Sequence, residues 1–195
     1  MPLKLGRQED RSAATRRALL DATVTCLAEL GYTGTTSAAV AARAGLSRGA
    51  QLHHFPTKND LVVAAVEHLT EVRGAELAAA AAAVPTPRST RAVLDLLGDH
   101  FTSPVFTAAL ELWVAARTDA DLMAAVGPLE QKVGREVHRL TVELLGVDET
   151  APGARELVQA TLDLVRGLGL ANTITDDRRR REAILDRWAL TLDAT

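Results

Sequence analysis

The stretch from Thr35 to Leu61, TTSAAVAARAGLSRGAQLHHFPTKNDL, restricts what this chain can fold into more than any other part of it. It places two helix starts, a chain reversal and a third helix start so close together that only a compact helical corner accommodates them. Val40, Ala41 and Ala44 stand at i, i+1 and i+4, which gives a short first helix one apolar face, and Thr36 or Ser37 supplies the hydroxyl that caps it. Gly45 ends that helix, because glycine tolerates the left-handed backbone that reverses a chain, while Leu46 tucks under the corner and Ser47 caps the next helix. The second helix, from Arg48 to about Phe55, is too short to stand alone and must be held by the first. Its outward side offers Arg48, Gly49, Ala50, His53 and His54, which suit a phosphate-lined groove: small residues at the N-terminal end let the backbone approach, and the free N–H groups there favour phosphate. This is the geometry of a helix-turn-helix that enters DNA.

The same residues resemble the DNA-binding domain of the TetR family of bacterial transcriptional repressors. The resemblance rests on the paired threonines Thr35 and Thr36, the turn Ala44-Gly45-Leu46-Ser47, the small pair after Arg48, the His54-Phe55 pair, and Lys58 before Leu61. Where the family has a leucine and then a tyrosine, this chain has Gln51 and Leu52, so the tyrosine contact is missing and Leu52 keeps only a thymine-methyl contact. The resemblance implies an all-α homodimer of two domains and about nine helices that leaves its operator when a small ligand binds. It divides the chain into a helix-turn-helix domain, residues 12–60 with the motif at about 36–55, and a helical regulatory and dimerisation domain, residues 61–195. The expected DNA contacts are Thr36, Ser37, Arg48, Gly49, Ala50, Leu52, His53, His54 and Lys58.

Composition agrees with helices throughout. Aromatic residues are only 3% of the chain while Ala and Leu abound, so the core is expected from helix-on-helix packing; strands would want more aromatic and β-branched side chains. The single cysteine, Cys26, excludes an intrachain disulfide and sits within an apolar stripe, where it reads as core filler in a cytoplasmic protein. No basic-then-apolar segment opens the chain, and its longest apolar run, Leu77 to Val84, is far short of the roughly 18 to 20 residues of a membrane span. A net charge of −3 argues against nucleic acid until its distribution is considered. Residues 1–60 hold eight Lys and Arg against five Asp and Glu, so a basic head precedes an acidic body.

In chain order, Met1 to Arg11 reads as a frayed tail, its cations otherwise placed to reach a phosphate or the minor groove. A helix from Ser12 or Thr15 carries Leu19, Ala22, Thr23, Cys26, Leu27 and Leu30 on one face until Gly31 closes it; Tyr32 packs over the junction with its hydroxyl free for a phosphate. Thr57 and Asp60 form a capping box that opens a helix from Asn59 to Ala83, with Lys58 exposed. Six consecutive alanines, Ala78 to Ala83, stiffen that helix, and it is the one element expected to couple the two domains. Pro85 and Pro87 stop it, Thr86-Pro87 starts the next helix, and Ser103-Pro104 starts another that ends near Arg117. Thr118 and Asp121 read as a further capping box before the stripe Leu122, Val126, Leu129, Val133, Val137, Leu140 and Leu144, with a kink at Gly127-Pro128.

The helix from Pro152 to Asn172 carries two apolar lines. One is Leu157, Thr161, Leu164 and Leu168; the other is Val158, Leu162, Val165 and Gly169. The second, with Ile184, Leu185, Trp188 and Leu192 of a closing helix from about Asp177, is assigned to a four-helix interface with another copy, the alternative being a monomer that buries both lines. Arg178 to Arg181 reads as a solvated turn. For a ligand, the candidates are Phe101, Phe106, Leu110, Trp113, Arg117, Leu129 and Val133, each of which could equally be plain core; together they suit a hydrophobic molecule, with Arg117 for an anionic end.

Catalysis finds nothing to work with. Neighbouring His53 and His54 diverge by about 100° around the helix axis and cannot share a metal, and no phosphate loop, Cys-x-x-Cys, His-Glu-x-x-His or serine elbow occurs. No cofactor or metal is expected. The expected function is a ligand-released repressor that binds a palindromic operator as a homodimer. The alternatives are a constitutive or architectural DNA-binding dimer without a pocket, and a helical interaction bundle that keeps the DNA module as a relic.

Overall fold

The computed structural model describes residues 3–83 and 89–194, and every regular element among them is a helix. In chain order these are α1 (Leu3–Gly34), α2 (Ser37–Arg43), α3 (Arg48–His54), α4 (Lys58–Ala83), α5 (Thr90–Phe101), α6 (Pro104–Ala116), α7 (Ala120–Leu145), α8 (Ala154–Asn172) and α9 (Arg178–Leu192). None of the helices, over the described residues, is long and apolar enough to cross a membrane. The chain forms two compact units, Met1–Glu71 with Ala108–Gly127, and Val72–Thr107 with Pro128–Thr195.

The first unit is built on α1. Leu19, Leu20, Cys26 and Leu27 of α1, Val40 and Ala41 of α2, Gln51 and Phe55 at α3, and Leu61, Val62 and Ala65 of α4 are all buried. Short helices survive here because their ends are satisfied. The Thr36 hydroxyl accepts from the Ala39 N–H at 3.1 Å, and α2 closes with the paired bonds Leu46 N–H to Ala41 carbonyl, 2.9 Å, and Gly45 N–H to Ala42 carbonyl, 3.2 Å. Gly45 has φ 66°, the left-handed backbone that this closure requires. The Ser47 hydroxyl accepts from the Ala50 N–H at 3.1 Å, and Thr57 and Asp60 bond reciprocally at 3.1 Å, the expected capping box. Cys26 is fully buried, which pushes its thiol above the ordinary value.

Two expectations for α1 are corrected. It is helical from Leu3, so residues 3–11 continue the helix where a frayed tail was expected; they contain no proline, and Lys, Arg, Gln and Glu are good helix formers. Leu30 is 49% exposed, because the backbone kinks at Gly31 (φ 68°, ψ 176°) directly after it.

In the second unit α5 packs against α8 and α9. Val93, Leu94, Leu97 and Phe101 of α5 are buried with Val158, Leu162, Val165 and Leu168 of α8 and Leu185 and Ala189 of α9. Arg91 pairs with Asp186, and the Thr90 hydroxyl bonds the Asp193 carboxylate, tying α5 to α9 at the surface. α8 approaches α5 closely at Gly169, where a Cβ would lie 2.2 Å from the Phe101 carbonyl oxygen and 3.0 Å from the Phe106 ring. No other residue fits there without moving backbone.

The helix starts of this region differ from expectation. Ser89 caps α5, accepting from the Ala92 N–H at 3.2 Å; Pro85 and Thr86-Pro87 lie outside the described residues. Asp119, not Thr118 with Asp121, caps α7, since its carboxylate can accept the Leu122 N–H at 2.9 Å while the Thr118 hydroxyl points back to the Ala115 carbonyl. α7 runs through Pro128 as one helix.

The interface assignment on α8 is also corrected. Val158, Leu162, Val165 and Gly169 of α8 and Leu185 of α9 are buried within the single chain, because both helices pack against α5. They cannot face a second copy. On the other line Thr161 and Leu168 are buried too, whereas Leu157 and Leu164 remain partly open, as do Ile184, Trp188 and Leu192 of α9.

Gly169→Ala is therefore expected to lower stability by about 1–3 kcal/mol, the usual range for overpacking. Chemical denaturation of both proteins checks it; an unchanged midpoint would mean that α5 and α8 do not approach this closely.

Candidate nucleic-acid interface

Burial sorts the residues of α3 into two sides. Gln51 and Phe55, one turn apart, face the core, while Arg48, Gly49, Leu52 and His53 are exposed and Ala50 and His54 half-buried. Leu52 is 41% exposed, an apolar side chain on a polar face with no core role. Thr36 is exposed and Ser37 half-buried at the start of α2. Of the residues expected on the outward side of the motif, Thr36, Arg48, Gly49, Leu52 and His53 are thus exposed.

Gln51 explains how the chain holds α3 with glutamine where the family has leucine. Its Nε2 donates to the Phe55 carbonyl at 2.9 Å, closing the helix end, while its Oε1 is buried without a hydrogen-bond partner among the described residues. Such an orphan acceptor costs about 1–3 kcal/mol, so glutamine is tolerated here and not favoured. The Arg16 guanidinium stands 5.2 Å over the Phe55 ring, covering the same helix end from α1. Arg43, though exposed, is engaged by Glu29, whereas Arg48 is exposed on the outward side of α3.

Lys58 is not exposed as expected. It is half-buried, its Nζ lies 3.8 Å from the centroid of the Tyr32 ring, and it donates to the Tyr32 carbonyl. Burial pushes its ammonium below the ordinary value. Nor is the Tyr32 hydroxyl free for a phosphate: it donates to Asn59 Oδ1 at 2.7 Å. Burial first, and then the nearby Asp119 carboxylate, push that phenol up. The Tyr32 N–H donates in turn to Glu111 Oε2 of α6 at 3.4 Å. Sequence reasoning missed this cluster, since Glu111 lies 79 residues from Tyr32 and belongs to no motif.

The ligand candidates divide between the two compact units. Phe101 and Phe106 meet edge to face at 5.3 Å, with the Arg166 guanidinium 5.5 Å over Phe101, and both rings are buried beside Gly169 as core. Leu129 is also buried, and Val133 is half-buried. Leu110, Trp113 and Arg117 belong to the other compact unit, and Arg117 is exposed, so it cannot serve as the charged wall of an enclosed site. Two clefts in the second unit have other linings. One, of about 590 Å³, runs between the end of α7 and the start of α8 and includes Leu145, Val147, Pro152 and Leu157. The other, of about 490 Å³, is formed by Leu164, Arg180, Ala183, Ile184, Arg187 and Trp188.

Comparison with known proteins bears on this arrangement. The model of bacterial regulatory proteins of the tetR family matches residues 19–65. The HTH-type transcriptional regulator CymR of Pseudomonas putida is 31% identical, over 94% of this chain and 92% of its own. Among solved structures, a transcriptional regulator from Rhodococcus sp. Rha1 superposes with a TM-score of 0.73 at 23% identity, over 91% of this chain and 95% of that one, which concerns the fold alone. The multidrug binding protein EbrR, solved in complex with imidazole, has a TM-score of 0.59 at 28% identity, over 89% of this chain and 93% of that one.

The low proton affinity of Lys58 has a measurable consequence. Its folded value lies below that of the unfolded chain, so the folded protein releases this proton first, and stability contributed by the site rises with pH between the folded value and 10.5. An NMR titration of the lysine Cε resonances should show Lys58 deprotonating below the other lysines. A normal titration would place its amine in solvent.

Proposed function

The chain belongs to the tetR family of bacterial regulatory proteins, and on that footing we propose that it binds a palindromic operator as a homodimer and is released by a small, hydrophobic ligand. Membership makes it a DNA-binding transcription regulator and not an enzyme. The observation that carries the finer reading is the outward side of α3: the exposed Arg48, Gly49, Leu52 and His53, flanked by the half-buried Ala50 and His54, on a helix whose opposite side is buried. Arg48 is suited to a phosphate or a guanine edge, Gly49 and Ala50 to close backbone approach, and Leu52 to a thymine methyl. Thr36, Ser37, His53 and His54 flank them. Lys58 would act from its place on Tyr32.

A dimer is supported by the α8–α9 surface. Leu164, Ile184 and Trp188 line an apolar groove that the single chain leaves open, and the Trp188 indole N–H donates to the Thr161 hydroxyl at 3.0 Å, holding the ring in place. A second copy brings an identical face by two-fold symmetry, which matches the symmetry of a palindrome. A small ligand is supported by EbrR, whose structure holds imidazole. The sequence offered α4 as the one candidate for coupling ligand to DNA; α6 and α7, which also have residues in both compact units, are further candidates.

Arg48→Ala should weaken operator binding and flatten the plot of log affinity against log salt by about one unit if Arg48 meets phosphate, or relax base preference if it reads guanine. Fluorescence anisotropy across a salt series decides; a variant with unchanged affinity, slope and preference would refute this placement of α3. Leu164→Asp should place a charge in the dimer interface without touching the buried core, giving a monomer in sedimentation and loss of operator binding. A dimer that persists in this variant excludes the α8–α9 face.

A further inference from the structure

Tyr32 joins three parts of the first compact unit. Its ring and carbonyl hold the Lys58 ammonium and its hydroxyl holds Asn59, both at the start of α4, while its backbone N–H is held by Glu111 of α6. The approach of Glu111 depends on Gly31. A Cβ there would lie 2.9 Å from Glu111 Oε2, and the glycine takes φ 68°, so the carboxylate occupies space that any other residue would fill. Asp119, just after α6, adds a second carboxylate near the Tyr32 phenol.

We propose that Glu111 is a positioning residue for DNA binding, acting through Tyr32 to fix Lys58 and Asn59 beside the recognition helix. The proposal rests on the DNA-binding reading above. Lys58 follows α3 by one short turn, so its ammonium is aimed by whatever aims Tyr32. The bond from Tyr32 to Glu111 is long, at 3.4 Å, and a displacement of α6 by a fraction of an ångström breaks it. Glu111 thereby makes the DNA module responsive to the position of α6. This is a side-chain contact onto backbone, distinct from bending of α4.

The test uses the full chain and a duplex selected by the wild-type protein from random sequence. Glu111→Ala should bind that duplex about fivefold or more weakly, the lower end of ordinary coupling between sites. Its Tyr32 amide should exchange faster with solvent, and its Lys58 amine should react faster with acetic anhydride. Glu111→Gln keeps an acceptor oxygen and should stay near wild type in all three measurements, a rescue that a general loss of stability would not give. Glu111→Asp, one methylene shorter, repeats the test if the alanine variant folds poorly. Wild-type affinity in Glu111→Ala, or an unaltered Tyr32 amide and Lys58 amine, overturns the proposal alone. A wild-type protein that selects no sequence overturns the DNA-binding reading and this proposal with it.

Discussion

A seven-residue helix does not hold itself together in water, and the DNA-facing part of this protein is such a helix. What keeps α3 folded is the burial of Gln51 and Phe55 on one side, with the Ser47 cap at one end and the Gln51 amide closing the other. The exposed side is then free to carry residues chosen for something other than stability. Leu52, Arg48 and Gly49 add little to the fold where they stand, and glycine within a helix costs about 1 kcal/mol relative to alanine. The first unit is arranged to meet that cost, with α1, α2 and α4 contributing the apolar surface on which α3 rests.

Much of this was legible in the chain. The Schellman closure at Gly45 and Leu46, the caps at Thr36 and Ser47, and the Thr57–Asp60 box are local devices, each written within a few residues. Local signals also competed. Asp119 took the cap expected of Thr118, its neighbour in the chain, and Ser89 caps α5. Spacing alone could not separate such candidates, since Ser, Thr and Asp all cap helices well.

Long-range facts were legible only in part. Periodicity showed that α8 has two apolar lines but not which line meets α5, because both have the same spacing and similar side chains. Gly169 was the overlooked clue. A glycine in the middle of an apolar line marks close backbone approach, and here that neighbour is the Phe101 carbonyl. The ties of Tyr32 to Lys58, Asn59 and Glu111 left no signature at all, as each joins residues whose sequence context concerns something else. The ligand candidates illustrate another ambiguity. Large aromatic side chains on middle helices fill core as readily as they line a cavity, and Phe101 and Phe106 fill core.

The burial of Cys26 extends beyond packing. The chain has one thiol, it is fully enclosed by α1 and its neighbours, and its environment disfavours the reactive thiolate. Under mild labelling conditions the native protein therefore behaves as if it had no cysteine. A single cysteine placed on the open side of α3, or on the α8–α9 face, becomes the one addressable point on the surface, so dyes or spin labels can be attached there without first removing a residue from the core.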